Sequence, residues 1–490
     1  MLLLSEDYYN TFIMPRVVIC GTHPYQFNGY SKVVYELCNL LSKKPDIDLH
    51  IFAFQNFYNA KDHAAERLLT NVTIFDAHAN EEPKNKGFGE SLIKDYLTRI
   101  DPDIVIIYND LVVIQSLTNK INTIENRRFK LMPYVDIVYN SERNNLIKYL
   151  NRTCDGAIMF TQHWDNVIIK QGFTKPTRVV EHGFNPNMYF PVPKDICRQY
   201  FSISTDDFVI VNLNRNQPRK RWDICLMVFM KLISKHPDSK IKLLIASPLN
   251  GSWDLVDIMI SECRKYNIDF NTMKSRLIII QNPQKLTDFD INVMYNLGDI
   301  GLNTCDGEGF GLCNFEQAAL GIPQVVPHIG GFRDFFDKTN TVIINPKYTF
   351  YRDHTSDIVS GEAEVCDIDD YVSAIEMYYG DKDIRELHGK RLREKILKEY
   401  IWSSKCDKLH SAIIEMTEDI VKMKKDEDIE KMKKDEDIEK MKRDKEADSK
   451  IVSLEDSGLN ITMGGGDVDI ELDKLSIEEM RELIKKHIKK

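Results

Sequence analysis

Two long runs of the sequence alternate short apolar segments with amphipathic stretches, and a proline-rich break separates them. The first run has apolar segments at residues 16–20, 49–54, 72–77, 103–108, 130–135, 156–160 and 178–182. The second has them at residues 208–214, 242–247, 276–281, 300–304, 324–328 and 341–345. Segments that are apolar throughout, and that alternate with helical patterns, predict parallel sheets covered by helices on both faces.

The break at residues 183–195, GFNPNMYFPVPKD, carries three prolines and predicts a linker between two domains. A chain of 490 residues is also too long for one core. We therefore expect an α/β protein with four parts: a Rossmann-like domain at 1–185, a second at 186–400, a terminal helix at 401–418 that can return to the first domain, and a charged tail at 419–490. Doubly wound sheets bind ligands at the carboxyl ends of their strands, so two facing sheets predict a cleft for two substrates.

The composition excludes several classes of protein. A formal net charge of -10 argues against a broad nucleic-acid surface. The ten cysteines form no CxxC pair, which is typical of a reduced, cytosolic protein. The opening MLLLSEDYYN has too short an apolar run for a signal peptide, and no apolar run approaches the length of a membrane span. We expect a cytoplasmic protein without a transmembrane segment.

The tail contains a repeat, KMKKDEDIE at 422–430 and again at 431–439. A nine-residue period moves its apolar positions around a helix, which predicts a solvated charged helix or a disordered tail. The last segment, 476–490, has Ser476 and Glu479 as a capping box and one apolar stripe. This segment either docks on a partner or a membrane surface, or forms a small helix that packs locally or frays.

The stretch CDGEGFGLCNFEQAALGIP, residues 305–323, places two glutamates around a glycine turn between a strand and a helix. A strand, a glycine turn and a helix start together aim free backbone N–H groups at an anion. Glu308 lies in the turn, and Glu316 lies about one turn into a helix that begins near Leu312. Ionised carboxylates accept hydrogen bonds from hydroxyls, so a ligand with hydroxyls and phosphates, such as a sugar nucleotide, fits. The alternative is an ordinary helix cap with two surface glutamates.

A basic pair follows the first strand of the second run, in NLNRNQPRKRWD at residues 212–223. Arg215 and Lys220 at the carboxyl end of a parallel strand suit a diphosphate, although a solvated basic turn is the alternative. The two cations and the two glutamates of the 305–323 stretch are all predicted at strand carboxyl ends in one domain.

These motifs resemble those of the retaining GT-B glycosyltransferases of family 4. EGFGLCNFEQAALGIPQVV is similar to their E-x7-E segment, and Arg215 and Lys220 match their R-x4-K-G element, with Arg221 where that family has glycine. HGFNPNMYFP at 182–191 resembles their interdomain segment, and QFNGYSKVVYEL at 26–37 resembles their glycine loop and first helix. The resemblance covers roughly residues 16–416 and is strongest at 207–346.

The resemblance implies roles by position. Glu316 would bind the ribose hydroxyls of a nucleotide-sugar donor, and Glu308 would hold hydroxyls of the donor sugar near the reacting carbon. Arg215 and Lys220 would neutralise the leaving diphosphate. Further expected contacts to the donor come from the backbone or the loops at Gly309, Phe310, Gly311, Leu312, Asn28, Gly29 and Tyr30. The family's mid-domain histidine is replaced by Asp136, which becomes the candidate polar group on the catalytic side, whereas His163 and His182 are interpreted as structural.

The activity implied is a hexosyltransferase of carbohydrate biosynthesis that retains anomeric configuration and needs no metal or other cofactor. Its donor would be UDP- or GDP-linked, and its acceptor a glycan, lipid or protein. A leaving phosphate oxygen would help to deprotonate the acceptor hydroxyl, so that no protein nucleophile is needed. Two alternatives stay open: another GT-B enzyme, such as a sugar-nucleotide epimerase, and a non-catalytic interaction protein. The sequence disfavours a GT-A fold and, lacking G-x-G-x-x-G after the first strand, a Rossmann dehydrogenase.

Overall fold

A computed structural model describes residues 14–57, 67–82, 87–281, 286–352 and 359–456. The terminal segment 476–490, with its predicted capping box, lies outside these residues. The chain divides into two compact units, Met1–Met423 and Lys424–Lys490, and the fold described below belongs to the first.

The first half of this unit contains a seven-stranded parallel sheet with strand order β3-β2-β1-β4-β5-β6-β7. The strands are β1 (Arg16–Thr22), β2 (Asp48–Phe54), β3 (Thr73–Asp76), β4 (Ile104–Asp110), β5 (Lys130–Asp136), β6 (Ala157–Met159) and β7 (Thr177–Val179). The helices are α1 (Gly29–Leu41), α2 (Ala77–Asn80), α3 (Ile93–Ile100), α4 (Leu111–Ile121), α5 (Asn144–Thr153) and α6 (Gln162–Lys170).

The second half contains a six-stranded parallel sheet with strand order β10-β9-β8-β11-β12-β13. The strands are β8 (Phe208–Asn212), β9 (Ile241–Ile245), β10 (Leu277–Ile279), β11 (Ile300–Leu302), β12 (Gln324–Pro327) and β13 (Val342–Ile344). The helices are α7 (Lys194–Tyr200), α8 (Trp222–Lys235), α9 (Leu255–Tyr266), α10 (Phe270–Lys274), α11 (Asp288–Leu297), α12 (Leu312–Ala319) and α13 (Phe332–Phe335).

An antiparallel hairpin, β14 (Tyr348–Arg352) with β15 (Gly361–Val365), follows the second sheet. Three helices complete the described chain: α14 (Ile368–Gly380), α15 (Lys382–Glu399) and α16 (Trp402–Asp456). The first turns of α16 return to the first half, because Cys406, Leu409 and Ile413 are buried in the core that contains the first sheet. The repeat at 422–439 lies within α16.

The predicted α/β fold with two doubly wound sheets is confirmed. Each predicted apolar segment overlaps an observed strand, because strands buried on both faces are apolar throughout: β1 reads RVVICGT and is buried after Arg16. The domain boundaries at 185, 186 and 400 stay a prediction. In the described residues, no helix is both long enough and apolar enough to cross a membrane.

Strand order decides where a ligand can bind. In the first sheet the order reverses direction between β1 and β4, and in the second between β8 and β11. At such a switch point the connecting loops run to opposite faces, which leaves a crevice at the strand carboxyl ends. The loops after these four strands therefore form the expected ligand site.

Candidate active site

A cleft of about 460 Å³ lies at the two switch points and is lined by both halves of the first unit. This volume falls within the roughly 300–1,000 Å³ of most small-molecule sites. Among the predicted site residues, those that line the cleft are Asn28, Gly29, Tyr30, Asp136, Arg215, Lys220, Glu308, Gly309, Phe310, Gly311 and Leu312. The structure therefore brings together residues that the sequence separates widely, and only Glu316 of the predicted set is absent from the lining.

Glu308 is the carboxylate at the centre of the second half's wall. It is 4% exposed, and Lys220 and Arg219 both donate to it, the Arg219 Nη1 at 3.2 Å from Oε1. Burial by itself would raise the pKa of Glu308, but the charges of Lys220 and Arg219 lower it to about 2. Glu308 is therefore ionised at neutral pH and can act as a hydrogen-bond acceptor.

Arg215 follows β8 in the second half and lines the cleft, but unlike Lys220 its side chain is exposed. Six residues on, Arg221 adopts a left-handed backbone conformation with a φ of 48° and directly precedes α8. Glycine adopts this conformation at little cost, so Arg221 keeps the turn that a glycine would make. The Arg221 side chain turns away to Asp223, which accepts from its Nη2 at 2.8 Å, so Arg215, Arg219 and Lys220 line the cleft and Arg221 does not.

The turn before α12 exposes backbone groups to the cleft. Gly311 has a φ of 83° and caps a helix that begins at Leu312, as predicted. A side chain at Gly311 would overlap the Phe332 ring, so the turn needs glycine for both conformation and space. Trp164, from the first half, donates from its indole nitrogen to the Gly309 carbonyl at 2.7 Å and ties the loop to the first half.

Glu316 lies behind this wall, 2% exposed. Lys32 Nζ, on α1 of the first half, lies 2.8 Å from Oε1 and 2.9 Å from Oε2 of Glu316. The Tyr295 hydroxyl donates to Oε2 at 2.8 Å. Lys32 and Tyr295 line the cleft where Glu316 does not, so the ammonium group stands between this carboxylate and the cleft.

The N-terminus of α1 faces the N-terminus of α12 across the cleft. Asn28 caps α1 in a capping box with Ser31, and its side chain accepts from the Ser31 N–H at 2.9 Å. A Cβ atom on Gly29 would lie 3.4 Å from the Leu312 Cδ1 atom, so the two helix starts are close together. Two helix N-termini favour an anionic ligand between them.

Asp136 ends β5 beside Asp110, which ends the neighbouring β4 in register with it. The Tyr30 hydroxyl lies 2.8 Å from Asp110 Oδ1 and 2.6 Å from Asp136 Oδ2. Burial, followed by the Asp110 charge, raises the pKa of Asp136 to about 7. The sequence predicted Asp136 but did not predict its connection to Asp110 through Tyr30.

His182 also lines the cleft, packed among the rings of Tyr108, Tyr134, Phe160 and Phe310. Burial lowers its pKa to about 3, so the ring is neutral at physiological pH. His163 does not line the cleft, and its pKa is lowered to about 4 by burial and by Arg333. Within the described ranges, no group of three His, Cys, Asp or Glu side chains could hold a metal ion.

Sequence reasoning missed four charged residues in or beside the site: Arg219, Lys32 and the ion-paired Arg67 and Asp288. Arg67 donates from Nε and Nη2 to the two oxygens of Asp288, both at 2.8 Å, and joins the first half to α11. Arg219 could have been found from its position beside Lys220 at a strand end. Lys32 and Arg67 carry no local signal, because their partners are more than 200 residues away in the chain: 284 for Lys32 and 221 for Arg67.

No family model matches the chain. The D-inositol 3-phosphate glycosyltransferase of Rhodococcus erythropolis is 27% identical over 159 residues, which are 32% of this chain and 34% of that protein. The protein of the same name from Rhodococcus opacus is 26% identical over 180 residues, 36% of this chain and 39% of that protein. The chain thus spans between a third and two fifths of the length of these relatives.

Solved structures match over a much larger part of the chain. Sucrose-phosphate synthase from Thermosynechococcus elongatus has a TM-score of 0.63 at 14% identity, covering 82% of this chain and 99% of its own. HepE from Anabaena, solved with UDP and glucose, has a TM-score of 0.62 at 13% identity, covering 81% and 99%. With two parallel Rossmann-like sheets and a cleft at their switch points, the chain has the GT-B fold.

Proposed function

We propose that the protein is a glycosyltransferase that moves a sugar from a nucleotide-sugar donor to an acceptor hydroxyl. The observation that carries the proposal is the convergence of Arg215, Arg219, Lys220 and the N-terminus of α12 on one cleft wall, at the switch point of the second sheet. Three cations and a helix start suit a diphosphate, and the ionised Glu308 among them suits sugar hydroxyls. The match to relatives named glycosyltransferases supports the same class.

The diphosphate is the group that the second half would stabilise. As the sugar leaves, negative charge grows on the phosphate oxygen, and fixed cations nearby lower the energy of that transition state. Lys220 and Arg219 are already ordered against Glu308, so they need little rearrangement to do this. Because these side chains supply positive charge themselves, we propose that the reaction needs no metal ion.

Retention of anomeric configuration is part of the proposal and is supported by the resemblance of residues 308–316 to the E-x7-E segment. In the step we propose, the bond from the sugar C1 to the phosphate oxygen breaks and a bond from C1 to the acceptor oxygen forms on the same face. The acceptor proton passes to the departing phosphate oxygen, which balances the charge. Glu308 would orient sugar hydroxyls, and Glu316 would bind the ribose once Lys32 has moved.

One comparison indicates which class of nucleotide sugar should be tested first as the donor. The HepE structure, which shares this fold, was solved with UDP, so a UDP-sugar is the first donor to test. The acceptor would enter from the first half, past Asp136 and Tyr30.

The test is nucleotide binding. A thermal-shift screen with UDP, GDP, ADP and their sugar conjugates, run with EDTA, should give one nucleotide class that raises Tm. A ligand at one hundred times its Kd stabilises the native state by about 2.7 kcal/mol. Arg215→Ala combined with Lys220→Ala should abolish the shift, whereas Lys240→Ala, at an exposed pair with Asp206, should not.

Two outcomes would contradict the proposal. If no nucleotide shifts Tm, the chain is better explained as a GT-B protein that binds a partner without catalysis. If a nucleotide sugar binds and its sugar is epimerised or hydrolysed instead of transferred, the epimerase alternative holds. Proton NMR of the product, which reads the anomeric configuration, decides retention.

A further inference from the structure

On the side of the cleft formed by the first half, three side-chain oxygens, from Asp110, Tyr30 and Asp136, are joined in a row by two short contacts. The Tyr30 oxygen lies 2.8 Å from Asp110 Oδ1 and 2.6 Å from Asp136 Oδ2. Both distances are those of hydrogen bonds between oxygens. The two aspartates are held at this spacing by the sheet, since Asp110 and Asp136 are paired residues at the ends of β4 and β5.

The two short contacts need two hydrogen atoms, and the source of each one decides the charge of the two aspartates. A neutral phenol has one hydrogen and can donate it to one carboxylate. Tyr30 stays neutral, because burial and the charges of Asp110 and Asp136 hold its pKa well above the ordinary value. The second short contact is favourable only if a carboxyl group supplies a proton. With a proton supplied in this way, the two aspartates would share it through Tyr30 and together carry one negative charge.

The other carboxylate oxygen of Asp136 is left without a partner in the part of the chain that the structure describes. Asp136 Oδ1 is buried and makes no hydrogen bond to any described residue. It faces the loop of the second half, since a side chain at Gly309 would overlap it, and Asp136 lines the cleft. A buried polar oxygen without a partner is costly, so this atom is placed to bind a ligand group.

We propose that Asp110, Tyr30 and Asp136 act as one proton-sharing unit, in which Asp136 Oδ1 binds a hydroxyl of the donor sugar and Asp110 is a positioning residue that controls the charge on Asp136. The inference rests on the proposed function for its ligand. The Tyr30 ring packs against the Tyr108 ring, which in turn packs against Tyr134.

Other ionisable groups also act on the unit. Arg219 and Glu308 face Asp136 from the second half, Arg219 lowering and Glu308 raising its pKa. Tyr108 on β4 and Glu142 before α5 lie within range of both aspartates. Because burial and Asp110 act most strongly, the pKa of Asp136 lies near neutrality. Ionised Asp136 accepts a stronger hydrogen bond than the neutral acid does.

The test compares the affinity for a nucleotide sugar with that for the nucleotide alone, across neutral pH. In the wild-type protein, the affinity gained from the sugar should increase as pH rises through the titration midpoint of Asp136. Asp110→Asn removes a neighbouring negative charge, so this midpoint should fall by about one pH unit or more. Tyr30→Phe removes the hydrogen bond that stabilises ionised Asp136, so the midpoint should rise. Asp48→Asn, at the opposite end of the sheet and paired with Arg16, should leave it unchanged.

Opposite shifts in Asp110→Asn and Tyr30→Phe would support the unit, since a purely structural role predicts no change of midpoint. Equal midpoints in all variants, or shifts in one direction, would overturn it. If the wild-type protein binds no nucleotide, the proposed function fails, but the unit can still be tested. Infrared difference spectra of the unliganded protein should show a protonated carboxyl group that titrates near neutral pH and is lost in Asp136→Asn. Absence of that band would overturn the shared proton.

Discussion

Lys32 and Glu316 form a buried ion pair between the two halves of the cleft. The ammonium nitrogen of Lys32 lies 2.8 and 2.9 Å from the two carboxylate oxygens of Glu316, and the lysine also lies 4.6 Å from the centre of the Tyr189 ring. An ammonium that spans both oxygens occupies the position that a vicinal diol would take. Glu316 is therefore covered in this conformation, and the Tyr189 ring also contacts the ammonium group that covers it.

Loss of Lys32 should destabilise the protein. Lys32→Met leaves the Glu316 charge buried without its partner, and breaking one side of such a pair costs about 3–5 kcal/mol. Chemical denaturation should show this loss, and Lys32→Met with Glu316→Gln should recover part of it. Lys44→Met is the matched control, because its pair with Asp407 is exposed and contributes at most about 1 kcal/mol. Equal losses in Lys32→Met and Lys44→Met would contradict the buried pair.

The two glutamates of residues 308–316 should differ in kinetics. Glu316→Ala should mainly raise the KM for the donor, because the ribose would lose the acceptor proposed for it. Glu308→Ala should mainly lower kcat, because Glu308 lies beside Arg219 and Lys220, which are proposed to stabilise the leaving diphosphate. Steady-state kinetics with one donor measure both effects. If KM and kcat change to a similar extent in both variants, the two glutamates do not have the separate roles predicted for them.

Gly311→Ala should cost more stability than Gly172→Ala, although the two glycines have similar backbone conformations. Gly311 and Gly172 have φ values of 83° and 93°, but only at Gly311 would a new Cβ overlap another side chain, the Phe332 ring. Both alanines carry the conformational cost of about 1–2 kcal/mol, and Gly311→Ala adds about 1–3 kcal/mol of overpacking. Denaturation curves of the two variants separate these terms. Equal losses of stability in the two variants would contradict the predicted overlap with Phe332.

The strands were predictable because their signal is local. Residues such as Val17, Ile106 and Ile210 are buried in apolar runs that identify a parallel strand without knowledge of its neighbours. The hairpin of β14 and β15 was not predicted. Tyr348 and Tyr351 are exposed, and the strand is defined by its pairing to residues 361–365 and not by its own apolar pattern.

The site was predictable where residues follow strands. Lys220, Glu308 and Gly311 could be placed together because the carboxyl ends of β8 and β11 meet at one edge of the sheet. The pairing of Lys32 with Glu316 could not be predicted, because it depends on how the two halves face each other. The Asp110–Tyr30–Asp136 chain needs the register of β4 on β5 as well as the position of α1.

Above 6.5, the ordinary pKa of histidine, the stability of the protein should fall as pH rises to mildly alkaline values, with Glu142 as one cause. Burial raises the pKa of Glu142 from 4.5 to about 8, although the Val138 N–H donates to its Oε2 at 3.0 Å. Between these values the native state keeps a proton that the unfolded chain has released. Unfolding is then favoured by up to about 1.4 kcal/mol for each pH unit, because the native state binds more protons.

Glu142→Gln should flatten this pH dependence, since the amide oxygen can still accept from Val138 and cannot titrate. Asp136 and Glu36, whose pKa values are both raised to about 7, will leave a smaller slope. Asp206→Asn is the control: its pKa is lowered by Lys240, so it is already ionised throughout this range. Urea denaturation at several pH values gives the slopes. An unchanged slope in Glu142→Gln would mean that this carboxyl group is ionised in the native protein.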